Sequence, residues 1–166
     1  PRIVDLALDR PDGTIELDQE QITAPRLLEP AKITILPTAH LNGTNMKIGR
    51  GYMDFTKDTF EGLNCEVQQI LIGDLPLGQR ETPSEEIDDI LLSSDALFVL
   101  GGDTRYLLDI VRERKLVPLF EDALKRGVVF GGTSAGLIWL TSHCMSDADS
   151  FHKDQWGYVM LNGLGI

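Results

Sequence analysis

Short apolar runs rich in Val, Ile and Leu alternate along the chain with longer segments whose apolar residues recur at helical spacing. That alternation predicts a parallel sheet flanked by helices. Four runs read as strands: 33–37 (ITILP), 66–72 (EVQQILI), 96–100 (ALFVL) and 128–131 (VVFG), each stopping at Gly, Pro or a small polar residue. The segments 52–63, 84–92, 104–113 and 117–126 between them read as helices. Ser84 followed by Glu85 and Glu86 supplies an N-cap and an acidic first turn, where the helix dipole favours them. Lys125, Arg126 and Gly127 end the last of these helices with cations and a glycine. In the N-terminal part, 3–8 and 13–17 are candidate strands around a DRPDG turn. After Leu140, 141–156 reads as a polar loop and 158–166 as a return to a strand-like run.

The chain has 166 residues without internal repeats or a low-complexity linker, so one domain is expected over 1–166. With 42% hydrophobic and 25% charged residues it has the composition of a folded globular protein. The formal net charge of −11, from 26 Asp and Glu against 15 Lys and Arg, argues against a nucleic-acid partner, which would demand clustered cations. The densest basic run, Arg112, Arg114 and Lys115, is broken by Glu113 and reads as a helix end. No stretch approaches the roughly 20 consecutive apolar residues of a membrane span, and no signal peptide is visible in PRIVDLALDR. Cys65 and Cys144 are too few for a disulfide scaffold, and two reduced thiols in a cytoplasmic protein are expected.

In open parallel sheets, ligands bind beyond the carboxyl ends of the strands. Two such ends carry unusual residues. In VVFGGTSAGLIWL, Gly132-Thr133-Ser134-Ala135-Gly136 is a GxSxG pattern lying between a strand and an apolar helix. That context is the one a nucleophile elbow requires: the turn is so sharp that its central Ser is strained and its flanking positions admit only glycine. The Ser134 hydroxyl is then exposed, and the amide of Ala135 can stabilise an oxyanion. The alternative is a tight glycine turn capped by Ser134. The second end, Gly101-Gly102-Asp103-Thr104, opens the helix TRYLLDIVRER. Asp103 or Thr104 would cap that helix, and the Gly-Gly amides could supply a second oxyanion donor.

Taken in order, these features resemble the serine peptidases of the peptidase E and cyanophycinase group, peptidase family S51. ITILPTAH is similar to that family's early strand and PTA-type turn, LFVLGGDTRYLL to its GGGNT- or GGDQ-type turn, and GGTSAGLIW to its elbow. SDADS and WGYVMLNGLGI resemble the segments after the elbow, so the likeness runs from about Ile33 to Ile166. The resemblance implies a class I glutamine amidotransferase-like fold, a three-layer α/β/α sandwich with a mostly parallel sheet. It also implies a peptidase with a small peptide as substrate, an N-terminal aspartyl dipeptide being one candidate; no cofactor or metal is expected. By position, Ser134 is the nucleophile, Gly102 and Ala135 supply the oxyanion amides, and Asp149 is the acidic charge-relay member. Gly101, Asp103 and Thr104 fall in the substrate-binding turn. The sequence departs from the family in lacking a glycine-rich first strand turn in DLALDRPDG and in carrying GGDT where GGNT is commoner.

A serine hydroxyl requires a base. The chain offers His40, His143 and His152, each better read as a loop or surface residue. In the family the catalytic His follows the strand corresponding to NGLGI, so the base is expected beyond Ile166, with C-terminal residues lacking from the domain. His143, Cys144, Asp147, Asp149 and His152 crowd one segment, but their spacing matches no strong zinc pattern. Trp139, Met145, Trp156 and Met160 read as core residues by default, with a pocket lining as the alternative. Glu85, Glu86, Asp88 and Asp89 read as a solvated face. Two rival functions use the same residues: an esterase of the α/β-hydrolase type, and a non-catalytic relative that binds a peptide or small ligand. A homo-oligomer is compatible with either reading.

Overall fold

The strand β1 (Lys32–Leu36) is apolar or small at four consecutive positions, 33–36, and all four are buried. A strand with both faces covered belongs in the middle of a sheet. The computed structural model describes residues 30–41, 46–75, 78–152 and 156–166, with backbone alone for 46–50. The candidate strands at 3–8 and 13–17 lie outside the described residues.

From β1 the chain passes through a 3-10 turn (Thr38–His40) to helix α1 (Met46–Gly62) and then β2 (Glu66–Gln69). Next come α2 (Ser84–Leu92), β3 (Ala96–Val99), α3 (Thr104–Glu113), α4 (Val117–Lys125) and β4 (Val129–Gly132). The sheet order is β2-β1-β3-β4 and every pairing is parallel. Register places Leu36 beside Val99 and Val99 beside Gly132. Because β1 connects to β2 on one side while β3 joins on the other, the strand order reverses between β1 and β3. Their carboxyl ends therefore border a crevice of the kind that receives ligands.

Side chains alternate across the sheet and divide the core in two. Ile35 and Phe98 meet Tyr52, Met53 and Phe60 of α1 on one face. On the other, Leu36, Leu97 and Val99 pack with Ile87 and Leu91 of α2, Leu107 and Val111 of α3, and Phe120 and Ala123 of α4. Helix, sheet and helix thus form three layers with a parallel central sheet. Burying each of the fully covered Leu and Ile side chains contributes about 2 kcal/mol.

The strand bounds fall within a few residues of those expected from the pattern. One cap differs: Ser84 is the first helical residue and Pro83 occupies the cap position, with no side-chain cap bond. Pro83 fixes an extended entry (φ −55, ψ 141) and Glu85 and Glu86 still occupy the favourable first turn. At the end of α4, Gly127 takes φ 90 and lets Val128 N donate back to Ala123 O at 3.0 Å.

The larger difference lies after Leu140. A short helix α5 (Ala135–Ile138) is followed by β5 (His143–Ser146), a 3-10 turn (Ala148–Phe151) and β6 (Val159–Asn162). β5 and β6 form a separate antiparallel ribbon, with Cys144 opposite Leu161 and Met145 opposite Met160. Polar composition hid the strand, but alternation was present: Cys144 and Ser146 point inward, His143 and Met145 outward. Trp139 is fully buried against Phe120 and Phe130, whereas Met145, Trp156 and Met160 are exposed. Glu85, Glu86, Asp88 and Asp89 are exposed, as their solvated face predicts. Among the described residues no helix is long and apolar enough to cross a membrane.

Candidate active site

Because Val99 and Gly132 are register partners, the two glycine-rich turns leave the sheet side by side. Ser134 sits at φ 51, ψ −116 on an exposed residue, and its side chain does not cap α5. A positive φ at a residue with a Cβ is strained backbone. The turn closes with Gly136 N donating to Thr133 O and Leu137 N to Ser134 O, both at 2.9 Å.

Two glycines are dictated by close approach. A Cβ on Gly136 would run into the Val99 backbone, and one on Gly102 into the carbonyl of Ala39. Gly102 also takes φ 142, which L side chains rarely adopt. Gly101 lies directly against the elbow, where an added Cβ would be 3.1 Å from Ser134 Cβ. Among the described residues no carbonyl accepts a hydrogen bond from the amides of Gly102 or Ala135. The amides of Gly102 and Ala135 thus belong to the two turns that meet beside a strained, exposed serine.

The turns are tied together by side chains that the sequence did not mark. Thr133 Oγ1 accepts from Gly101 N at 3.1 Å and shares a 2.7 Å hydrogen bond with the Tyr52 hydroxyl on α1. No motif signals Tyr52, because the contact spans the sheet and α1. His40, at the end of β1, is 8% exposed and meets Tyr52 edge-on with ring centroids 5.3 Å apart.

Asp103 is the N-cap of α3, accepting from Tyr106 N at 3.1 Å, and its own N donates to Ala39 O at 2.8 Å. Its side chain is wholly buried, and its second oxygen lies 2.6 Å from Nε2 of His152. Thr104 Oγ1 accepts from Ser146 Oγ at 2.8 Å, a fully buried pair. Arg105 Nη2 donates to Asp149 Oδ1 at 2.8 Å. His143 is exposed on β5. Among the described residues no group of three or more His, Cys, Asp or Glu side chains is placed to hold a metal ion.

The structure therefore brings together Gly101, Gly102, Asp103 and Thr104 with Thr133, Ser134 and Ala135, and joins Asp149 to them through Arg105. It sets His40 into the core beside Tyr52 and pairs His152 with Asp103. An exposed, strained serine at a strand-to-helix turn, beside a second glycine-rich turn, is the arrangement in which serine nucleophiles and oxyanion-binding amides are built.

Comparison with known proteins shows the family and the fold. A Bacillus subtilis (strain 168) protein described as the uncharacterized peptidase YgaJ is 30% identical over 128 residues, which is 77% of this chain and 49% of that protein. The fold is shared with a candidate peptidase E protein from Listeria monocytogenes EGD-e (TM-score 0.55, 23% identity), covering 70% of this chain and 52% of that one. It is shared equally with a peptidase from an acI-B1 Actinobacterium (TM-score 0.59, 19% identity), covering 81% of this chain and 50% of that one. The chain spans about half the length of these relatives. The profile of peptidase family S51 matches residues 16–166, and with the GxSxG elbow and its neighbouring turn inside that span, the chain belongs to peptidase family S51.

Proposed function

We propose that this chain carries the nucleophile and oxyanion site of a serine peptidase that hydrolyses short peptides, with N-terminal aspartyl dipeptides as the substrates to test first. The observation that carries this reading is the close approach of Gly101 to an exposed Ser134 at φ 51, and the neighbouring Gly102 and Ala135 amides are the proposed oxyanion donors. In the proposed reaction Ser134 Oγ attacks the scissile carbonyl as its proton passes to a histidine base. The C–N bond then breaks, the protonated amine leaves, and water attacks the acyl-enzyme to release the acid.

Asp149 is proposed as the charge-relay acid, its carboxylate oriented by Arg105. Of the described histidines, His40 lies in the core, His152 is engaged by the Asp103 carboxylate, and His143 faces outward on β5. The base is therefore proposed to be a histidine outside residues 1–166. Gly101, Asp103 and Thr104 shape the substrate side of the site. The proposed setting is cytoplasmic, where Cys65 and Cys144 would stay reduced thiols.

The test is hydrolysis of aspartyl dipeptides and of short acyl esters by the full-length protein and its Ser134→Ala variant, with fluorophosphonate labelling in parallel. Dipeptide hydrolysis and labelling that both vanish in Ser134→Ala support the proposal. Turnover unchanged by the substitution overturns it. Activity on esters alone favours an esterase, and a folded protein without labelling or turnover favours a non-catalytic binder.

A further inference from the structure

Three consecutive residues at the start of α3, its N-cap Asp103 and its first two helical residues Thr104 and Arg105, reach the same segment of chain. Asp103 meets His152, Thr104 meets Ser146, and Arg105 meets Asp149, with separations of 2.6, 2.8 and 2.8 Å. The charges alternate, an acid and a cation at the N-terminal end of α3 facing a histidine and an acid on the segment. Ser146 Oγ is also bonded by Ala148 N at 3.1 Å, so the segment's first bend is anchored to the clasp as well.

Of these contacts, the Asp103 pair bears most directly on the amide of Gly102. Asp103 follows Gly102, and its backbone is already bound to Ala39 O and its Oδ1 to Tyr106 N. A carboxylate whose side chain is fully buried requires hydrogen-bond donors at both oxygens, since an unsatisfied one would cost about 1–3 kcal/mol or more. His152 supplies one to Oδ2 from a side chain that is itself 44% exposed.

We propose that His152 is a positioning residue: by donating Nε2–H to the buried Asp103 carboxylate, it fixes the Gly101–Gly102–Asp103 turn, and with it the Gly102 amide, against Ser134. This rests on the proposed oxyanion role of Gly102. It gives His152 a role other than that of the base, and it explains why an acid can stand at position 103 of the turn. An oxyanion donor acts on the transition state more than on bound substrate, so a misplaced Gly102 amide lowers kcat and leaves KM nearly unchanged.

The experiment compares His152→Ala and His152→Gln with the wild type in the full-length protein, reading kcat and KM on an aspartyl dipeptide and amide hydrogen exchange across 97–106. His152→Ala is expected to lower kcat by about ten- to a hundredfold, with KM within about twofold. Gln, whose amide Nε2 can still donate to Asp103, is expected to restore kcat to within about threefold. Exchange at the Tyr106 amide should quicken in His152→Ala while Leu97 and Val99 in β3 stay protected.

Unchanged kcat in His152→Ala overturns the proposal. So does a loss as deep as that of Ser134→Ala that Gln fails to rescue, which would make His152 the base. Equal acceleration of exchange at every amide overturns it too, as a purely structural effect. If the wild type neither hydrolyses peptides nor reacts with a fluorophosphonate, the peptidase reading has failed. The exchange measurement then still decides whether His152 holds the turn.

Discussion

The hydroxyl of Tyr52 meets Thr133 Oγ1 at 2.7 Å, so a side chain on α1 holds the residue immediately before the strained serine. Thr133 Oγ1 also takes the Gly101 amide at 3.1 Å. One hydroxyl therefore joins three pieces of chain: α1, the turn after β3, and the elbow after β4. Tyr52→Phe removes only an oxygen and keeps the ring packed on His40. It is expected to cost about 1 kcal/mol of stability, the usual value of one hydrogen bond, and to lower kcat more than it changes KM. Thermal unfolding and steady-state kinetics on the same preparation check both parts.

Most of the framework could be read from periodicity, because parallel strands covered on both faces are written as unbroken apolar runs. ITILP and ALFVL became β1 and β3 within one residue of the expected ends. The elbow was equally legible, since Gly132 and Gly136 are forced by the backbone of Val99 and so leave a fixed spacing in the sequence. What escaped was tertiary. Tyr52–Thr133 and Asp103–His152 join residues far apart in the chain, and nothing in the local sequence marks such pairs. β5 escaped for another reason: its inward positions are Cys144 and Ser146, and Ser146 is buried because Thr104 satisfies its hydroxyl.

Ser134 holds φ 51 where a glycine would sit without strain. Such conformations cost on the order of 1–3 kcal/mol and persist where function demands them. Ser134→Gly is therefore expected to raise the stability of the fold by roughly 1 kcal/mol while abolishing fluorophosphonate labelling. Ser134→Ala keeps the Cβ and the strain, and should unfold close to the wild type. Urea unfolding of the two variants separates them, and equal stabilities would contradict a strained elbow.

Gly136 has no room for a side chain, because an added Cβ would meet Val99 in the neighbouring strand. The obstacle is backbone and cannot rotate away. Gly136→Ala is expected to destabilise by about 2–4 kcal/mol, in the range of severe overpacking, and to reduce soluble yield. Gly51→Ala makes the internal control, since nothing lies within 4 Å of a Cβ there. That substitution sits inside α1, where Ala is favoured over Gly, and is expected to stabilise by up to about 1 kcal/mol.

Acid should loosen the loop that leads from β2 toward the site. Glu81 accepts from Gly73 N at 3.0 Å and from Arg114 at 2.6 Å, while Asp74 N bonds the Tyr106 hydroxyl of α3 beside it. The Gly73 amide chiefly, and then the Arg114 guanidinium, against an opposing effect of burial, hold the Glu81 carboxyl below its ordinary value. A group whose pKa is lowered by folding stabilises the native state fully above its unfolded value, and that stabilisation fades as pH falls through the folded value. Because Glu81 is partly solvent-exposed, the effect is screened to a few tenths of a kcal/mol up to about 1 kcal/mol. Glu81→Gln should therefore melt slightly below the wild type near pH 7, and the two curves should converge in acid as the wild-type carboxyl protonates. A difference in melting temperature that stays constant down to about pH 3 would show that Glu81 acts through packing and not through its charge.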